Sequence, residues 1–272
     1  MTVESEGVAT GAPEAESKMT IWEHLNELRK RVVFAAIGLL FCSIVCWSFH
    51  VKILAMLLVP YERAWITYGF PGSPELQTLS PADAFVGYLQ LSIFGGVICS
   101  APIIFYQLWA FVSPGLYAKE KRLIVPFVFF STGLFLSGVA FAYYVVFPFS
   151  FRFFFSMLGP VTQHGTVLTQ RPTLEYYLDF ATRMLLGCGF IFELPLFISF
   201  LAIAGIVTPM QLVKFSRWAI LLSFLVGAVA SPGPEVSAQL VLSGALVALY
   251  FLSIAVAFVV GKKSPRDGET NA

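Results

Sequence analysis

The 272-residue sequence predicts an all-α, polytopic membrane protein of six transmembrane helices, and three observations carry that prediction. It is 57% hydrophobic and only 12% charged, whereas soluble globular domains carry roughly a quarter of their residues as charges. Its apolar residues gather into six runs, near 32–49, 84–106, 123–147, 178–205, 216–230 and 236–260. A bilayer core about 30 Å thick takes about 20 helical residues to cross, so each run is a candidate span. The runs are continuously apolar rather than alternating, and a lipid-facing backbone must satisfy its own hydrogen bonds, which favours helices over barrel strands.

Six crossings return both termini to one side. Twelve of the 17 Lys and Arg residues fall on that side; the opposite side has Lys52, Arg63, Arg152, Arg171 and Arg183. The positive-inside tendency therefore places both termini in the cytoplasm.

The elements follow in order. Residues 1–18, with Glu4, Glu6, Glu14 and Glu16 among small residues, read as a disordered acidic tail ahead of a single membrane domain, 19–260. In "TIWEHLNELRKR", 20–31, Thr20 and Glu23 form a capping box, and Ile21, Leu25, Leu28 and Val32 make one apolar stripe. That pattern predicts a helix lying along the cytoplasmic interface before the chain turns into the first span. Residues 50–82 and 148–177 read as long external segments. The second span opens on "SPADAF", with Ser80 as cap, Pro81 at the first helical position and Asp83 in the first turn. Ser92, Gly96 and Ser100 follow at four-residue spacing, which lets another helix approach closely.

"VTPMQL" repeats the start signal with Thr208 and Gln211, yet the fifth apolar run holds only about 15 residues, roughly 22 Å, short for a bilayer. "SPGPE", 231–235, is a tight turn, and 261–272 is a cytoplasmic tail. Cys42, Cys46, Cys99 and Cys188 all fall inside spans and read as packing residues. Trp109, Tyr117 and Trp218 stand at span ends, where aromatic belts form.

A few charged residues stand out. Glu27 lies one turn before Arg31, which suits an i,i+4 ion pair. Glu27 and Glu120 can also converge on one cationic ligand from two cytoplasmic segments, and a planar guanidinium matches paired carboxylates better than an ammonium does. Glu193, in "GFIFELPLF", is an ionisable residue in a span, where insertion costs about 2.5–3.5 kcal/mol; it reads as functional or as half of a structural hydrogen bond. Pro195 beside it frees backbone groups for a polar partner. Gln239 suits interhelical glue.

No phosphate-cradling G-x-x-x-x-G-K-[ST], H-E-x-x-H or G-x-S-G pattern occurs, and His24 with Glu27 lacks further ligands. No catalytic residue, metal, cofactor or nucleic-acid partner is expected.

Four stretches, "HLNELRKR" (24–31), "APIIFYQLWAFVSPGLYAKEKR" (101–122), "FELPL" (192–196) and "SPGPEVSAQ" (231–239), closely resemble the TatC family, the multispanning receptor subunit of the twin-arginine translocase. The resemblance runs from about residue 19 to about 260. It implies a cupped bundle with short fifth and sixth helices. It also implies a receptor for twin-arginine signal peptides on folded cargo, working in a multimeric complex with TatA-like and TatB-like single-span subunits among the lipids of the cell's inner membrane, and powered by the proton motive force. Carried over by position, Glu27, Arg29, Phe111 and Glu120 match the family's signal-peptide positions. Glu193 and Gln239 match an intramembrane polar position and a partner-docking position; Pro102, Pro114 and Pro195 match structural prolines. Asp83 and Glu235 depart from the family's usual glutamate and aspartate while keeping the charge. The main competing reading is a proton-coupled secondary transporter using Glu193, although no internal repeat supports it.

Overall fold

The first helix of the computed structural model is longer than the first apolar run, and its length decides where the polar N-terminal stretch sits. The structure describes residues 21–70, 72–112, 124–160, 167–168, 171–230 and 236–260. Both terminal tails, Thr20, Pro114, Tyr117, Glu120 and the 231–235 turn lie outside the described residues. α1 runs unbroken over Ile21–Trp47, 27 residues and about 40 Å. The stretch expected to lie along the interface and then turn is the beginning of this same helix. Neither Gly nor Pro interrupts residues 21–37, so nothing stops the hydrogen-bond ladder between the polar and apolar parts.

α2, His50–Thr67, occupies much of the first segment expected to be long and external, and it carries Pro60 within the helix. α3 spans Pro81–Val112, 32 residues. Its start is built as the sequence predicts: Ser80 Oγ accepts from the Ala82 N–H at 3.3 Å, and Asp83 Oδ2 accepts from the N–H groups of Leu79 and Ser80 at 2.8 and 2.7 Å. α1 packs along α3, and the small-residue stripe is the reason they meet closely. Ser92, Gly96 and Ser100 are all buried, and a Cβ added at Gly96 would come within 2.9 Å of the Ser43 backbone on α1.

The third crossing is also longer than its apolar run. α4 (Ile124–Phe141) continues through a π-helical turn, Ala142–Val146, into α5 (Phe147–Ser156), 33 residues in all. Two short strands, β1 (Gly159–Pro160) and β2 (Val167–Leu168), pair antiparallel beyond it.

α6, Leu174–Ile191, is capped by Thr173, whose hydroxyl accepts from the Tyr176 N–H. The fourth run, predicted as one span, then breaks at Phe192–Glu193 and resumes as α7, Leu194–Ile203. Pro195 in the first turn of α7 explains the break, since it brings no N–H to the ladder. α7 ends in a Schellman turn: Gly205 takes φ 72°, and the N–H groups of Gly205 and Ile206 reach back to the carbonyls of Ala202 and Leu201.

α8, Pro209–Ala230, starts on a complete capping box, with Gln211 N–H on Thr208 Oγ1 and Thr208 N–H on Gln211 Oε1. At 22 residues, about 33 Å, it is not the short fifth helix that was expected. Only its apolar stretch is short, because the exposed side chains of Lys214 and Arg217 decorate the first turns. α9 spans Val236–Val260 and packs on α7 and α8.

Six of these helical stretches are long and apolar enough to cross a membrane, which makes this a polytopic membrane protein. Its largest core lies at the far end from the α1 start. There Tyr61 and Trp65 of α2 meet Phe151 and Phe155 of α5 and Tyr177 of α6, so α2 and α5 build an aromatic cap on the bundle.

Candidate functional site

At the start of α1 the side chains point to α3's end. The His24 ring stacks on Phe111, with centroids 4.4 Å apart and planes 22° apart. One turn along, Glu27 Oε1 takes a hydrogen bond from Arg31 Nη2 at 2.9 Å, and Arg31 Nη1 reaches Gln107 Oε1 on α3 at 3.4 Å. The ion pair expected from the i,i+4 spacing therefore exists, but it satisfies only half of the carboxylate. Glu27 Oε2 is buried and has no hydrogen-bond partner among the described residues. A buried acceptor left open costs about 1–3 kcal/mol, more when charged, so such an oxygen favours an incoming donor. Beside it opens a groove of about 560 Å³, lined by Glu23, Asn26, Glu27, Lys30, Arg31 and Phe34.

The structure thus sets Phe111 against His24, one turn from Glu27 on α1, so that two of the expected site residues lie where α1 meets the end of α3 without a direct contact between them. Arg29 is exposed and stands in a neighbouring groove with Asn26, Lys30, Val33 and Phe34 rather than beside Glu27, because residues two apart on a helix point to opposite sides. Glu120 and Pro114 fall on undescribed residues, in the stretch that leaves α3 just after Phe111. His24 and Gln107 were not singled out from sequence as parts of this arrangement; an aromatic-accessible ring and an amide at matching helix ends were the available signals.

Deeper in the bundle, Trp109 is buried rather than standing in an aromatic belt, as its span-end position suggested. Its indole N–H donates to Ser131 Oγ on α4 at 2.8 Å. The Glu193 carboxyl lies near the Ser131 side chain and the Phe135 backbone of α4, while Glu193 Oε1 is buried without a partner among the described residues. Glu193 sits at the break between α6 and α7, facing protein, and Pro195 is buried beside it. An acid in a span is tolerated in this way, turned toward polar groups of neighbouring helices.

Gln239 Nε2 donates to the Phe224 carbonyl at 3.4 Å and ties α9 to α8. Pro102 lies inside α3 and is exposed.

Comparison with known proteins agrees with this architecture. The family described as "Sec-independent protein translocase protein (TatC)" matches residues 23–245. A protein of that name from Desulforapulum autotrophicum is 39% identical over 259 residues, covering 94% of this chain and 91% of its own. One from Helicobacter pylori strain 26695 is 37% identical over 248 residues, covering 91% of this chain and 90% of its own. A crystal structure described as the twin arginine translocase receptor TatC superposes with a TM-score of 0.70 at 30% identity, covering 88% of this chain and 99% of that one. The transporter reading finds no support in these matches. With its described helices, its matched length and its relatives in agreement, this chain belongs to the TatC family of Sec-independent protein translocase proteins.

Proposed function

We propose that this chain is the subunit that recognises paired-arginine signal peptides at the end of the bundle where α1 begins and α3 ends. The observation that carries the reading is the buried Oε2 of Glu27, which has no hydrogen-bond partner among the described residues, beside an open groove. A guest guanidinium meeting that oxygen adds a charge-assisted hydrogen bond, and Phe111, stacked on His24 one turn away, offers an apolar flank. Glu120, nine residues after Phe111 in the sequence, is the candidate for a second carboxylate, so that two arginines are read rather than one. Both termini are cytoplasmic in this reading, as the twelve-to-five distribution of basic residues favours.

The test is binding of a fluorescent paired-arginine peptide to the intact chain in detergent, beside the same peptide with two lysines. Glu27→Gln and Glu120→Gln should each weaken the arginine peptide by at least about tenfold, the value of one hydrogen bond to a charged group, and the lysine peptide should bind worse to the wild type. Unchanged binding in both variants removes them from the site.

Glu193 and Gln239 serve assembly rather than first recognition. Glu193→Ala should leave peptide binding intact while weakening co-purification with TatA-like and TatB-like subunits in a multimeric complex of the cytoplasmic membrane. Lost peptide binding with normal partner association would reverse that assignment.

A further inference from the structure

The end of the bundle remote from the α1 start carries a second groove, of about 450 Å³, between α2, the π-helical turn and α5. Arg63 enters it from α2 and Arg152 from α5, while Tyr143 and Tyr144 come from the π turn. Only five of the 17 basic residues fall on this side of the membrane map, and two of them share this one groove. No carboxylate lines it, and neither arginine forms an ion pair among the described residues. The π turn is itself an unusual element; such turns occur mostly as single insertions in α-helices and often at functional sites.

The frame around the groove is pinned through backbone carbonyls. The Tyr68 hydroxyl donates to the Arg152 carbonyl at 3.0 Å, and the Tyr143 hydroxyl donates to the Met56 carbonyl at 2.7 Å. The guanidinium of Arg152 lies 6.0 Å from the Phe149 ring centroid, which holds it without neutralising it. Tyr144, 71% exposed, stands at the rim. The rest of the wall is apolar, including Pro60 and Ala64, and the groove opens where the third crossing helix leaves its apolar run.

We propose that this groove holds the phosphate of an anionic phospholipid from the leaflet at that face. Two guanidiniums without an ion pair among the described residues match a phosphodiester in charge and donor geometry. The apolar half of the wall and the position at the membrane surface fit a headgroup that arrives with acyl chains, whereas a free phosphate would leave that wall in contact with water. The site is separate from the peptide groove and does not depend on the function proposed for it.

Native mass spectrometry of the intact chain in detergent, titrated with phosphatidylglycerol and with phosphatidylcholine, tests the assignment. Phosphatidylglycerol should bind preferentially. Arg63→Gln and Arg152→Gln should each reduce its binding by about fivefold, as expected for one basic residue against an anionic headgroup, without touching paired-arginine peptide binding. Arg63→Lys and Arg152→Lys should retain most of the preference. Thermal melting identifies a variant that misfolds, and the lysine pair then decides the matter. Equal binding of the two lipids by the wild type overturns the proposal, as does a preference unchanged by the single glutamine variants. Displacement of the lipid by inorganic phosphate at equal concentration would assign the groove to a free anion instead.

Discussion

His24 lies flat against Phe111, joining the first turns of α1 to the last turn of α3. This contact holds the start of α1 against α3 one turn before Glu27, whose Oε2 has no partner among the described residues. An aromatic pair of this kind contributes about 0.5–1.5 kcal/mol beyond the area it covers. Phe111→Ala should therefore weaken paired-arginine peptide binding by roughly two- to tenfold, and Phe111→Tyr should restore it, read by fluorescence anisotropy. Wild-type affinity in the alanine variant would show that the stack does not position the site.

Arg31 occupies the other oxygen of Glu27 and so competes with any guest. The pair is an i,i+4 bridge with side chains 29% and 21% exposed, of a class that adds only a few tenths of a kcal/mol to stability. Arg31→Gln should then leave the melting temperature nearly unchanged, hold peptide affinity at or above the wild-type value, and steepen its salt dependence. Titration at two ionic strengths decides this; a large loss of affinity would make Arg31 part of the recognition surface.

Gly138 is where α4 meets α6. A Cβ placed there would stand 2.5 Å from the Cys188 carbonyl oxygen and 2.9 Å from Gly189 Cα, and backbone atoms cannot swing away as side-chain ends do. Gly138→Val should cost about 3 kcal/mol or more, the upper range for overpacking. Gly133→Ala and Gly187→Ala, which face open space, should be neutral or raise the melting temperature through helix propensity. Equal melting of Gly138→Val and the wild type would mean that the two helices are not in this contact.

Tyr61 and Tyr177 touch in the aromatic cap but differ in what their hydroxyls do. Tyr177 donates to the Leu57 carbonyl at 2.6 Å, whereas the Tyr61 hydroxyl is buried without a partner among the described residues. Tyr177→Phe should cost about 1 kcal/mol by losing that hydrogen bond, and Tyr61→Phe should be neutral or stabilising. Thermal melts of the two variants distinguish these outcomes directly.

The same residue gives an alkaline signature. Burial pushes the Tyr61 phenol up to about 12, from an ordinary value of 10.0. Below the ordinary value the neutral phenol is carried by both folded and unfolded chain; as pH rises from about 10 toward 12 the unfolded chain loses its proton first, and the folded state loses stability. Tyr61→Phe should flatten the pH dependence of melting in that window relative to the wild type. Parallel curves would place the alkaline transition elsewhere.

The course of the chain was legible wherever a local rule acts alone. Continuous apolar runs marked six crossings, and the starts of α3 and α8 follow from Ser80 with Asp83 and Thr208 with Gln211, whose side chains reach only their own first turn. The stripe Ser92, Gly96, Ser100 announced a close helix partner without naming α1. α2 was missed although Leu57, Tyr61, Ala64 and Trp65 keep a helical period, because Pro60 in their midst argues against a helix until tertiary burial outweighs its lost hydrogen bond. The extension of the third crossing through α5 was hidden for a similar reason: Pro148 and Arg152 look like the end of a span, and only the cap built by Tyr61 and Tyr177 shows what buries Phe151 and Phe155.

By itself the sequence determined that the chain crosses a membrane six times as helices, which carboxylates stand out and which family it resembles; all of these follow from composition, spacing and motif order. Only the tertiary structure decided that Trp109 turns inward to Ser131, that Arg31 covers one oxygen of Glu27 while the other has no partner among the described residues, and that Arg63 and Arg152 share a groove. The physical reason is range. A cap, a span or a stripe is set within a few residues, but whether a buried polar atom finds a partner depends on side chains delivered by helices far apart in the chain.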